Sequence, residues 1–153
     1  MNKTVILSDT HGNLSAIEKI SEIMRESDTV IHLGDYSSDV GPFSKMVKNL
    51  YSVKGNCDGG GDDRIITLDG VKILITHGDR YGVKDSLQRL FLRAREECVR
   101  AVFYGHTHLP KIEDIGGIKF INPGAMSKYG EKTYCYTVIE GGRLFSKIVP
   151  VRD

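Results

Sequence analysis

TVILSDTHGNLSAIEKISEIMRESDTVIHLGD, residues 4–35, decides the fold class. Its two ends, TVILSD (4–9) and TVIHLGD (29–35), are short β-branched runs closed by Ser-Asp and Gly-Asp. Such runs read as buried strands stopped by turn chemistry. Between them LSAIEKISEIM (14–24) sets Leu14, Ile17, Ile20, Ile23 and Met24 on one helical face, with Ser15 and Glu18 as a capping box. Strand, helix, strand within 32 residues predicts a parallel pair with a right-handed crossover.

Three further runs end the same way: YSVKGN (51–56), KILITHG (72–78) and AVFYGHTH (101–108). A second helix is expected over 42–50. A third is expected over about 85–98, with Asp85 as its cap and Leu87, Leu90, Phe91, Ala94 and Cys98 on its buried stripe. Three other segments carry Asp-Gly or Gly-Gly between alternating runs: ITLDGVKIL (66–74), IEDIGGIKFI (112–121) and YTVIEGGRLFSKIV (136–149). Those are hairpin signals. So many strands in so short a chain predict an α/β protein with two mixed sheets packed together.

Length and composition set the outer bounds. The chain has 153 residues, 40% apolar and 27% charged, which fits one globular domain over 1–153. Only DGGGDD (58–63) resembles a joint, and it is too short to separate domains. A net charge of +1 argues against broad electrostatic attraction to nucleic acid or membrane. No apolar run approaches the roughly 18 residues of a spanning helix. The opening MNKTVILSDTHG is too poor in apolar residues for a signal peptide. The three cysteines, Cys57, Cys98 and Cys135, form no CxxC pair, which suits a reducing cytoplasm. A homo-oligomeric state is left open.

The polar residues closing the five parallel-type strands are Asp9 with His11, Asp35, Asn56, His77, and His106 with His108. Ligands of α/β sheets bind outside the carboxyl ends of strands, so these seven converge on one edge. GHTH is read as an extended segment pointing both imidazoles one way. Nitrogen and oxygen donors without thiolate suit borderline divalent metals such as Mn, Zn, Fe, Ni or Co, with Mn taken first. Seven ligands exceed what one ion with an open position needs. They suit two ions about 3.5–4 Å apart. Gly12, Gly34, Gly55, Gly78 and Gly105 let the backbone turn and approach such a centre. His32, inside the second strand, is read as structural.

Asp9-x-His11, Gly34-Asp35, Gly55-Asn56-x-Asp58, His77-Gly78 and Gly105-His106-Thr107-His108 resemble the five-block signature of the calcineurin-like metallophosphoesterases. Asn56-Cys57-Asp58 and the later Asn122-Pro123-Gly124 make the chain similar to the small bacterial and archaeal phosphodiesterases of that superfamily. The resemblance implies a four-layer α/β/β/α sandwich. It implies one metal held by Asp9, His11 and His108, the other by Asn56, His77 and His106, with Asp35 bridging. Catalysis would fall to Asn56, Asp58 and His106, with in-line attack of a metal-bridging hydroxide on a small phosphodiester. Many superfamily members have His where this chain has Cys57. The thiol is either a weak proton donor or a small filler. Asn122-Pro123-Gly124 either borders the site or is a rigid turn. Lys54, Arg64, Arg80, Lys84 and Lys128 are not ranked as site residues. The alternatives are a phosphomonoesterase acting on a nucleotide or sugar phosphate, and a protein-binding scaffold on the same fold.

Overall fold

The computed structural model describes residues 1–60 and 62–152. Two five-stranded mixed sheets carry the chain. The first is built from β1 (Asn2–Leu7), β2 (Thr29–His32), β3 (Leu50–Ser52), β9 (Thr133–Glu140) and β10 (Arg143–Pro150), in the order β10-β9-β1-β2-β3. The second is built from β4 (Arg64–Leu68), β5 (Val71–Ile75), β6 (Ala101–Phe103), β7 (Lys111–Ile115) and β8 (Ile118–Asn122), in the order β4-β5-β6-β8-β7. β1, β2 and β3 run parallel, as do β5, β6 and β8. The three hairpins β4–β5, β7–β8 and β9–β10 are antiparallel, as the Asp-Gly and Gly-Gly turns require.

The period-two alternation of each strand separates three apolar layers. Ile6, Ile31, Ile73, Ile75, Phe103 and Ile121 face the space between the sheets. Val5, Leu7 and Val30 point the other way, onto Ile17, Met24 and Phe43. Leu74, Val102 and Phe120 point outward from the second sheet onto Leu90 and Ala94. The stack is therefore α/β/β/α. Each fully buried Leu, Ile or Phe contributes about 1.5–3 kcal/mol of transfer free energy to holding it.

The helical layers differ from the sequence expectations. The helix over 14–24 is two short helices, α1 (Leu14–Lys19) and α2 (Ser21–Glu26), broken at Ile20. Ser21 Oγ donates to the Glu18 carbonyl at 2.7 Å, an alternative to the helical ladder that accompanies the break. The cap is Asn13, whose side chain accepts from Ala16 N–H, and not the Ser15–Glu18 box. Leu14 is left exposed.

Over 42–50 there is no α-helix. A 3₁₀ run covers Ser37–Met46 and the chain is already in β3 at Leu50. Gly41 and Pro42 explain the tighter winding, since Pro supplies no N–H and Gly favours no helix. The third helix, α3 (Gln88–Glu96), begins later than Asp85 and has no side-chain cap. Asp85 N–H donates back to Gly82 O in a turn that precedes the helix. Cys98 is exposed beyond its end at φ 56°, and Val99 takes the buried place. The 58–63 stretch includes Gly61, which lies outside the described residues. Among the described residues no helix is long and apolar enough to cross a membrane.

Candidate metal centre

The parallel strands stop short, and the chemistry sits on the loops just beyond them. β1 ends at Leu7, two residues before Asp9, and β2 ends at His32, three before Asp35. β5 ends at Ile75, ahead of His77, and β6 at Phe103, ahead of His106. Eight described non-glycine residues have positive φ; five are Asp9, His11, Asp35, His106 and His108. Left-handed conformations of non-glycine residues are costly and persist where surrounding contacts impose them. GHTH is therefore not an extended segment. His106 (φ 74°) and His108 (φ 65°) turn the chain at each step, which sends the two imidazoles to different neighbours.

Named contacts hold these turns. Asp39 Oδ2 accepts from Thr10 Oγ1 and from Gly12 N, both at 2.7 Å, clamping the two sides of His11. His32 lies beneath. Gly34 N–H donates to its Nδ1 at 3.0 Å, so in the neutral ring Nε2 carries the hydrogen and faces Thr10 Oγ1 at 3.0 Å. Burial lowers the His32 pKa to about 4, outweighing Asp9 and Asp39, and keeps the ring neutral. The structural reading of His32 holds, and it supports the loop that carries His11.

On the other side, Asn122 Nδ2 donates to Thr107 Oγ1 at 2.9 Å and to Gly105 O at 3.3 Å, bracing GHTH. The Asn-Pro-Gly segment is thus both a turn and a border of the site. Two glycines are required by contact. A Cβ on Gly55 would sit 2.3 Å from Asp35 Oδ1, and one on Gly105 would sit 2.3 Å from Ser8 Oγ.

Six of the seven sequence-selected ligands gather into two clusters. The ligand atoms of Asp9, His11, Asp35 and His108 lie within 4.8 Å of one another, and so do those of Asp35, His77 and His106. Asp35 belongs to both. Its Oδ2 is 3.5 Å from His11 Nε2 and its Oδ1 is 3.4 Å from His77 Nε2.

Asn56 starts the 3₁₀ turn Asn56–Asp58 and is exposed. The next residue, Cys57, donates its N–H to Asp35 Oδ1 at 3.0 Å. Asp58 is fully engaged with backbone: Oδ1 accepts from Tyr36 N at 2.8 Å and Oδ2 from Gly55 N at 2.9 Å. It ties the Asp35 turn to the Asn56 turn.

The donor set fits a cation. Asp9 Oδ1 and His11 Nε2 are buried without a hydrogen-bond partner, an expense that a bound ion removes. His77 Nδ1 lies 2.8 Å from the Leu33 carbonyl, which can only accept. The hydrogen therefore sits on Nδ1, and Nε2 turns a lone pair toward Asp35 and toward His106 Nδ1 at 3.2 Å. Orientation of a ligating imidazole by a backbone carbonyl is the usual support for a metal site.

The electrostatics agree. Burial opposes ionisation of Asp35, yet His77, the Cys57 N–H and His11 hold its carboxyl far below the usual range. Burial likewise disfavours the His77 imidazolium, but Asp35 and Asp9 outweigh it and raise the pKa. The neighbouring His106 moves down, through burial, His77 and Lys84. Contact with Asp9 raises His108. This pocket attracts positive charge. Partial burial and the acids Asp35, Asp58 and Asp9 push the exposed Cys57 thiol up, keeping it protonated.

Thr10 and Asp39 were not legible as supports in the sequence, because they meet across 29 positions. Of the basic residues left unranked, Lys84 and Lys128 border cavities beside the centre, Lys128 with His11 and His108. Arg80 instead pairs with Asp63 at 3.2 Å, and Arg64 lies over the Tyr51 ring.

Comparison with known proteins agrees with this arrangement. The model of the calcineurin-like phosphoesterase superfamily domain matches residues 3–142. A probable metallophosphoesterase of Bacillus subtilis is 36% identical over 128 residues, covering 80% of this chain and 73% of that protein. A phosphodiesterase of Methanocaldococcus jannaschii is 32% identical over 148 residues, covering 83% and 86%. Among solved structures, a conserved Streptococcus pneumoniae protein described as a predicted phosphoesterase superposes with a TM-score of 0.81 at 29% identity, covering 97% of this chain and 89% of that one. By fold, by sequence and by the residues gathered at its strand ends, the chain belongs to the calcineurin-like phosphoesterase superfamily and is a hydrolase.

Proposed function

We propose that residues 1–153 act as one domain, a phosphodiesterase that works with two divalent transition-metal ions. The carrying observation is the pair of ligand clusters joined through the two oxygens of Asp35. In this reading Asp9, His11 and His108 serve one ion, and Asn56, His77 and His106 the other, with manganese the first choice. When bound, two such ions lower the pKa of water to give a nucleophile at neutral pH and screen the phosphoryl oxygens.

The chain's own residues do the rest. Two carboxylates, Asp9 and Asp35, against two divalent ions leave a net positive centre, a match for a singly charged phosphodiester. His77, locked by Leu33 O, keeps Nε2 aimed without reorganisation. Asp58 acts through position, holding the Asp35 and Asn56 turns together. His106, half-exposed with a lowered pKa, stands nearest to solvent in its cluster and is the residue best placed to contact a phosphoryl oxygen.

The test is metal analysis paired with kinetics. Protein stripped with chelator is reloaded with Mn, Zn, Ni, Fe or Co, and assayed on an aryl diester and an aryl monoester. Two ions per chain and preference for the diester are expected. Preference for the monoester would favour a phosphomonoesterase. Failure to bind metal or to hydrolyse either ester would favour a protein-binding scaffold.

A further inference from the structure

A cavity of about 500 Å³ opens beside the His106–His108 loop. Thr107, which separates the two histidines, lines it together with Leu109. Thr107 is fixed there by Asn122 Nδ2 and by Leu109 N–H at 3.1 Å. Lys84 stands on the shared rim: it borders the cavity, and its charge bears on both His106 and His108. The cavity therefore lies one side chain away from the centre.

Val83, Leu87, Leu109 and Ile115 supply its apolar lining, alongside charged residues that include Asp85. Leu109 is 68% exposed there. One polar atom stands out. Glu113 Oε1 is buried and has no hydrogen-bond partner. Lys111 Nζ approaches it to 3.5 Å from an exposed stem but makes no hydrogen bond. A buried carboxylate oxygen without a donor is costly. Beside it Tyr104 stays a protonated phenol, since burial and Glu113 push its pKa up to about 12.

These features select among ligands. An acyl chain would fill the apolar walls and leave Glu113 unpaired. An ammonium group would pair with Glu113, but Lys111 already stands 3.5 Å from that oxygen and Lys84 adds a second positive charge to the lining, against one further acid, Asp85. A flat aromatic ring carrying a neutral amino group satisfies both demands. Its faces meet Val83, Leu87, Leu109 and Ile115, and its N–H reaches Glu113.

We propose that this cavity seats an amino-bearing nucleobase on one arm of the substrate, with Glu113 accepting from the exocyclic amine. The assignment rests on the phosphodiesterase reading for its second arm, the phosphate, but the base-binding step is testable without hydrolysis. Lys84, on the rim, faces the phosphate side. Glu113 is a specificity residue here and takes no part in bond breaking.

The probes are adenosine and purine riboside, which differ only by the amino group and contain no phosphate to hydrolyse. Binding to the protein as purified is followed by NMR titration, with thermal unfolding to verify that each variant is folded. Adenosine should bind about 10-fold more tightly than purine riboside, the worth of one hydrogen bond to a charged acceptor. Glu113→Leu should erase that ratio, Glu113→Gln should only reduce it because its amide oxygen still accepts, and Leu109→Ala should weaken both probes together. Equal affinities in the wild type would overturn the assignment. So would tighter binding of ethanolamine than adenosine, or shifts confined to residues away from Leu87, Leu109 and Glu113. Selective, Glu113-dependent binding in a protein that hydrolyses no diester would uphold the cavity and overturn the phosphodiesterase reading alone.

Discussion

The two clusters that share Asp35 are built by different means. His77, from the second sheet, is fully buried, and a backbone carbonyl sets its ring. His11 and His108 are partly open, with side-chain exposures of 27% and 45%, and loops hold them in left-handed turns. Those loops depend on Asp39, Thr10 and His32 for the first sheet, and on Asn122 for GHTH. The buried His77 takes its orientation from one carbonyl that the packed sheets already hold in place. His11 and His108 must be held by directed hydrogen bonds along their loops, because solvent competes for partly exposed side chains. Openness is also what a substrate needs, and the half that carries His11 and His108 offers two partly exposed imidazoles where the other offers His106 alone. Preorganisation and access are divided between the two.

That division can be attacked at several points. The largest effect belongs to the residue common to both halves. Asp35→Asn should strip both ions together and lower turnover by more than the roughly 10–100-fold typical of losing an outer support. Metal content measured alongside activity decides it, and near-normal hydrolysis with two ions bound would remove Asp35 from its bridging place.

Next come the two halves themselves. His77→Ala and His108→Ala should each deplete one ion and spare the other. The reloading affinity should fall by about 10-fold or more in each case, and further for His77, whose ring is fully buried and already oriented by the Leu33 carbonyl. Identical metal content and affinity in both variants would merge the halves into one site.

A smaller loss is expected from the hydrogen-bond support of the open half. Asp39→Ala frees Thr10 and Gly12 N–H, so metal affinity should drop about 10-fold on the His11 side, with His77-dependent binding unchanged. Crystallography or NMR of the variant should show the His11 loop displaced while His77 keeps its bond to Leu33. A His11 loop that stays in place would show that packing alone is sufficient there.

The smallest effect concerns Cys57, which touches Asp35 through its backbone and leaves its thiol exposed. Hydrolysis should depend steeply on leaving-group pKa, fast on aryl and slow on alkyl diesters. Cys57→His should help the alkyl diesters most, by a few-fold, well below the roughly 10²–10⁴-fold of a fully positioned general acid. Cys57→Ala should change aryl diesters little. A shallow dependence in the wild type that Cys57→Ala steepens would identify the thiol as the donor.

Much of the fold was legible in the sequence because its signals are local. The alternation of Val5, Ile6 and Leu7 already implies two apolar faces, and the Asp69-Gly70 and Gly141-Gly142 steps already imply hairpins. The helices were less legible. Apolar spacing over 14–24 is equally satisfied by one helix or by two with a step at Ile20, and the choice depends on Ser21 finding the Glu18 carbonyl. Over 42–50, apolar residues suggested a helix that Gly41 and Pro42 do not allow.

The same boundary runs through the site. The sequence by itself determined the donor types, two carboxylates, an amide and four imidazoles, and that each follows a strand, since residue chemistry and strand periodicity need no distant partner. Only the tertiary structure decided how those donors associate. His106 N–H meets Asp9 across 97 positions, His77 meets Leu33 across 44, and Thr10 meets Asp39 across 29. It also decided that GHTH turns at both histidines and that Glu113 lines the cavity that Thr107 borders, with one oxygen lacking a hydrogen bond. Hydrogen bonds and ligand clusters are properties of distance in space, and the crossing of two sheets, which sets those distances, is written in no single stretch of chain.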